Sequence, residues 1–152
     1  MPGAETRLTE LGIELPPVSR PVANYLGCKR VGDLLHVGGH GPVTASGVTR
    51  GKVGDAVTLE QAYQAARATA LSMFATVRVE LGSLDRVRQV VKVFGMVNCA
   101  AGFNQTPAVI DGCSDVLVAI FGDAGRHTRS AVGVAELPFD IAVEIEMILQ
   151  VE

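Results

Sequence analysis

Cysteine is scarce in this chain. Cys28, Cys99 and Cys113 are the only three. An odd number at wide spacing gives no disulfide framework, and no CxxC pair offers a zinc site. A reducing compartment fits this usage, so the expected location is the cytoplasm. Charge is scarce as well, at 19% of residues against 48% apolar. The net charge of −3 and pI near 5.6 lack the basic footprint of a general nucleic-acid binder, so no nucleic-acid partner is expected. No apolar run is long enough to span a bilayer, and residues 1–15 lack the basic start and apolar core of a signal peptide; no membrane partner is expected. Gly32, Gly38, Gly39 and Gly41 do not form a GxGxxG or Walker loop. His36, His40 and His127 are too scattered for a metal triad, and no serine sits in a His/Asp pattern. Neither a metal nor an organic cofactor is expected.

What is present is a high apolar load for a chain of 152 residues. That length fits one domain, residues 1–152, and part of the apolar surface is expected to bury against other subunits. Residues 1–20 read as a peripheral arm, with Leu8, Leu11 and Ile13 able to dock and Pro16, Pro17 and Pro21 breaking regular structure. Tyr25–Arg30 and Leu34–Val37 read as strands joined at Gly32-Asp33, followed by a turn-rich segment, Gly38 to Pro42. Thr58–Leu81 is the clearest helix: Thr58 and Gln61 form a capping-box pattern, and Gly82 is a natural stop. Val87–Val97 is a valine-rich central strand. A second helix starts at Thr106-Pro107 or at Asp111 and runs to about Phe121.

Arg129–Leu137 and Ile141–Val151 read as a closing hairpin turning at Leu137 to Asp140. In the last strand the odd positions are apolar, and Glu144 and Glu146 share the opposite face. The order β-β-α-β-α-β-β predicts an α+β fold, a mixed sheet with two helices on one face. Its other face is also fairly apolar and needs a cover that the chain does not supply.

Arg129-Ser-Ala-Val-Gly-Val-Ala-Glu-Leu-Pro138 followed by Val143-Glu-Ile-Glu146 resembles the C-terminal signature of the Rid/YjgF-like family. Tyr25, Leu34 to Gly39 and the element order extend the resemblance over roughly residues 22–151. The chain looks like a longer subgroup, with an N-terminal arm and an enlarged loop near Asn98 to Pro107. The resemblance implies a chorismate-mutase-like fold, a homotrimer with clefts between subunits, and hydrolysis of reactive enamine or imine acids such as 2-aminoacrylate.

It also implies roles for particular residues. Arg129 matches the family arginine that grips the ligand carboxylate, a task suited to the guanidinium fork; the plain alternative is a structural ion pair. Glu144 matches the position that holds the hydrolytic water, against a solvated strand glutamate. Gly39 matches a glycine whose backbone approaches the ligand, and Tyr25 a tyrosine lining the cleft. Ala131 takes a position often held by cysteine, so only its backbone can contribute. His40 stands where glutamine is common, and reads as a ligand donor or as a polar residue at the cleft rim. Asp111 lies near an asparagine position, or is a helix N-cap.

A tight hairpin at Pro138–Phe139 pairs Arg129 near Leu149, which leaves Glu144 about five residues, or roughly 17 Å, along the strand. The two are therefore expected to meet across a subunit boundary. Two functions follow. The first is hydrolytic deamination of small enamine or imine acids to 2-oxo acids and ammonia. The second is a non-catalytic trimer that binds a small carboxylate as sensor or partner. Ribonuclease activity, attached to some relatives, is disfavoured by the acidic charge and the lack of a basic aromatic groove.

Overall fold

The computed structural model describes every residue, Met1–Glu152. In chain order the elements are α1 (Ala4–Glu10), β1 (Cys28–Val31), β2 (Leu34–His40), β3 (Val43–Thr44), β4 (Gly47–Val48), α2 (Leu59–Leu81), β5 (Val87–Asn98), α3 (Thr106–Phe121), β6 (Thr128–Val134) and β7 (Val143–Val151). Five strands form one mixed sheet in the order β1-β2-β7-β5-β6. Only β5 and β6 run parallel. Helix α2 lies over β2 and β7, and α3 over β5 and β6. The α+β class and the helix-covered sheet are as the sequence predicts.

Helix α2 begins where its capping box places it. Thr58 Oγ1 accepts from Gln61 N–H at 3.1 Å, and Gln61 Oε1 accepts from Thr58 N–H at 2.9 Å. Its buried face carries Ala62, Ala65, Ala66 and Ala70, small enough for a close approach to α3. At the crossing a Cβ on Gly112 would collide with the Tyr63 carbonyl, so only glycine fits there. The core between helices and sheet is built from Phe74, Met73, Ile110, Leu117, Ile145 and Leu149, all essentially inaccessible. Each such side chain contributes about 1.5–3 kcal/mol by leaving water. Cys28, Cys99 and Cys113 are free thiols, and burial pushes Cys113 up to about 12.

Several expectations need correction. The last two strands do not form a hairpin: β5 lies between β6 and β7. Strand pairing is a non-local choice, and the helix between β5 and β6 supplies the crossover that parallel neighbours require. Tyr25 belongs to an irregular segment before β1, not to the strand. Gly38, Gly39 and His40 belong to β2 rather than to a turn, and the register with β7 slips between Val37 and His40. The arm contains helix α1, docked by Ala4 and Leu8, while Leu11 stays exposed. Arg78 clasps Glu5 through Nε and Nη2 at 3.1 and 2.6 Å and ties this helix to the body.

The path from β6 to β7 must cross the end of β5, and Asn98 is the peg it turns around. Asn98 is fully buried. Its Nδ2 donates to Asp140 Oδ1 at 3.0 Å and to the Ile141 carbonyl at 3.1 Å. Its Oδ1 accepts from Lys52 Nζ at 3.0 Å, and the same ammonium donates to the Ala135 carbonyl. The turn is strained, since Phe139 and Asp140 both have positive φ, 57° and 56°. Such backbone persists only where its surroundings hold it. Asn98→Ala removes three side-chain hydrogen bonds and leaves a buried carbonyl unpaired. A loss of about 1–3 kcal/mol is expected in the urea unfolding free energy. A change below about 0.5 kcal/mol would remove Asn98 from this role.

Candidate functional site

The register assigns each candidate to a face. Arg129 is level with Val93, Ala131 with Gly95 and Gly133 with Val97. Val93, Gly95 and Val97 are buried, so this row of β6 faces the helices. Glu144 is level with Met96 and alternates with buried Val143 and Ile145, so it points to the opposite face. Between Arg129 and Glu144 lie two strand spacings and three residues of rise, roughly 14 Å. One chain cannot bring both to one small molecule. The separation inferred from a hairpin therefore stands, on different grounds: its cause is the strand between them and the opposed faces.

One group gathers at the β6 edge. Arg129 Nη1 donates to Asp111 Oδ1 at 2.8 Å and to Ser114 Oγ at 3.1 Å, and Nη2 reaches the Pro107 carbonyl at 3.4 Å. Asp111 sits in the second turn of α3 and is not an N-cap; the helix starts at Thr106. Its carboxylate orients the arginine. At the half-exposed surface of Asp111 this pair adds at most about 1 kcal/mol to stability. Three of the five guanidinium N–H groups are used. Nε and one hydrogen of Nη2 stay free, the number a carboxylate takes in a forked pair. The Ala131 carbonyl accepts from Thr106 Oγ1 at 3.0 Å, and the Ala131 methyl packs against the core.

The other group lines a cavity of about 410 Å³ that includes Arg20, Tyr25, Gly39, His40, Arg50 and Glu144. The Glu144 carboxylate lies flat on Gly39, where a Cβ would stand 2.5 Å from Oε1. A side chain at position 39 would push the Glu144 carboxylate from this seat, a contact invisible in the sequence. Burial, then the charge of Glu146, raises the Glu144 pKa above its ordinary value. Glu144 forms no hydrogen bond or ion pair within the chain, so its oxygens are available to a ligand or water. Tyr25 is exposed at the cavity mouth.

His40 is neither a rim residue nor a free acid. It is buried, with Nδ1 2.7 Å from the Gly38 carbonyl and Nε2 2.8 Å from Thr76 Oγ1. The carbonyl can only accept, so Nδ1 carries the proton and Nε2 accepts from Thr76. Burial lowers its pKa, and the bond to Gly38 offsets this in part. Sequence reasoning missed Arg20 and Arg50, which had no motif to mark them.

Comparisons with known proteins agree with this architecture. The family model described as "YjgF/chorismate mutase-like, putative endoribonuclease" matches residues 5–148. Protein TCP17 of Trypanosoma cruzi is 40% identical over 145 residues, covering 94% of this chain and 91% of its own. The crystal structure of Atu1372 from Agrobacterium tumefaciens is 37% identical, with a TM-score of 0.90 over 98% of this chain and 92% of that one. The crystal structure of a "putative endoribonuclease" from Shewanella oneidensis MR-1 is 29% identical with a TM-score of 0.95, covering 99% of this chain and 100% of that one. No helix is long and apolar enough to cross a membrane.

A pH test follows from His40. The unfolded chain titrates at the ordinary histidine value of 6.5, and the folded chain below it. Between the two values the unfolded chain holds more protons, so stability rises with pH up to about 6.5 and is flat above. Acidification through that window should cost up to about 1.4 kcal/mol per pH unit. Urea midpoints between pH 5 and 8 should show this slope in the wild type and a weaker one in His40→Gln. Equal slopes would place the acid sensitivity elsewhere.

Proposed function

The chain belongs to the YjgF/chorismate mutase-like family, and on that footing we propose that it hydrolyses small enamine or imine acids to 2-oxo acids and ammonia. The observation that carries this reading is the division of one ligand site into two half-sites on one chain. Arg129, oriented by Asp111 and Ser114, keeps Nε and one Nη2 hydrogen free for a carboxylate. Glu144, with its raised pKa and free oxygens, presents a base without a partner. Each half is incomplete, and a neighbouring copy in a cyclic trimer supplies the other.

The chemistry asks little more than these groups. An enamine such as 2-aminoacrylate becomes the imine when its terminal carbon takes a proton. Water then adds to the imine carbon as Glu144 accepts a proton from it. The resulting carbinolamine takes that proton back on nitrogen and expels ammonia as the carbonyl forms, and its hydroxyl proton leaves to solvent, replacing the one taken up at carbon. One carboxylate thus serves as base and then as acid, and a pKa lifted above the usual range brings it closer to working pH. Arg129 holds the substrate carboxylate throughout. A second reading, binding without turnover, draws on His40: both its nitrogens are engaged, which leaves Glu144 as the one proton carrier of this group.

The test is complementation. Arg129→Ala and Glu144→Ala should each lower ammonia release from dehydratase-generated 2-aminoacrylate by at least about 100-fold. In a cyclic trimer each site takes Arg129 from one copy and Glu144 from the next. Random 1:1 assembly of the two variants then restores about a quarter of the sites. Recovery near that fraction after co-refolding supports the shared site. No recovery, with mixed assemblies shown by mass spectrometry, would sink it. Ligand-induced stabilisation without any ammonia release would favour the binding reading.

A further inference from the structure

The Glu144 cavity carries two arginines that the chemistry of a small monocarboxylate does not use. Arg50 and Arg20 both line it, and neither is in a salt bridge. Arg50 is well positioned. Its backbone bridges to Ile141, Gly51 N–H donates to the Asp140 carbonyl at 2.8 Å, and Ala142 N–H donates to the Thr49 carbonyl at 3.1 Å. Its Nε donates to the Phe139 carbonyl at 3.1 Å, which leaves both terminal nitrogens without a protein acceptor. That carbonyl belongs to the strained turn pegged by Asn98, so the least relaxed backbone in the chain directs this guanidinium. Arg20 arrives from the other side, on the arm segment held by Ser19 against Ser72. Two cations without a salt-bridge partner line one cavity, and an anion bound between them is attracted by both. The cavity volume, about 410 Å³, also lies within the range of ligand pockets, roughly 300–1000 Å³, and exceeds what a three-carbon acid fills.

We propose that Arg50 and Arg20 bind a second acidic group, so that the favoured ligands are 2-imino and 2-oxo acids with a distal carboxylate. This rests on the reading that Glu144 works in this cavity. The carboxylate beside the reacting carbon goes to Arg129 of the neighbouring copy. The distal one reaches the terminal nitrogens of Arg50 and the Arg20 guanidinium. Three-carbon acids bind through the first grip alone.

Calorimetry on the assembled protein tests this with 2-oxoglutarate as the dicarboxylate probe and 2-oxobutanoate as the monocarboxylate. The wild type should bind 2-oxoglutarate at least about tenfold more tightly, the scale of one added charge-assisted contact. In the double variant Arg20→Gln/Arg50→Gln that preference should vanish, with 2-oxobutanoate affinity within about twofold of wild type. Both side chains are exposed, and thermal melts will show whether the variant stays folded. Equal wild-type affinities, a preference that survives in the double variant, or an equal loss for both probes would each overturn the proposal while leaving the Glu144 reading intact. Failure of the wild type to bind either acid would overturn both.

Discussion

Asn98 stands at the point where the chain's topology becomes its chemistry. A polypeptide leaving an edge strand for a slot two places away must pass over the strand between. Here it does so at the end of β5, around one buried amide whose every polar atom is engaged. A buried amide is costly unless fully paired, so the pairing also fixes the path. Because the path is fixed, β7 enters between β2 and β5, and Glu144 comes to rest against Gly39. Because β6 is left at the edge, Arg129 reaches over to α3 and not toward Glu144.

The separation of Arg129 from Glu144 is thus a product of pairing order. A sheet gives consecutive residues to opposite faces, and neighbouring strands share each face in register. Once β6 and β7 are separated by β5, the parity of Arg129 and Glu144 sets them on opposite sides. Catalysis of this kind in one subunit would need another fold. In a symmetric assembly it needs only that one copy's edge meet another copy's open face. That face supports such contact: Phe94, Met96 and Ile148 are half-buried on it and Val132 is exposed, among Lys92, Glu146 and Ser130.

How much of this could be read in the sequence depends on how local each cause is. The capping box of α2 and the β1–β2 turn at Gly32 depend on residues a few positions apart, and both were legible. The element order gave the fold class. Strand neighbours were not legible, because a hairpin and a crossover look alike until the sheet is assembled. Gly38-Gly39 looks like a turn because glycine usually marks one, yet here it makes room for a carboxylate from a distant strand. His40 finds Thr76 across 36 positions, and Arg50 finds the Phe139 carbonyl across 89. The C-terminal motif pointed to Arg129 and Glu144 but carried no trace of the arginines opposite.

The segment between α1 and β1 is fastened at both ends, by the Glu5–Arg78 clasp and by the first strand, and has no regular structure after its first turn. Its far end forms one wall of the cavity. Lengthening a loop costs little, about 0.6 kcal/mol for each doubling. Insertions and deletions here would reshape the mouth of the cavity while the sheet, the helices and the Asn98 peg stay as they are. The fold therefore separates a part that can vary from a part that cannot: Arg129, Glu144 and Arg50 are held by the scaffold, while Arg20 and Tyr25 ride on a strap whose length and charge can drift.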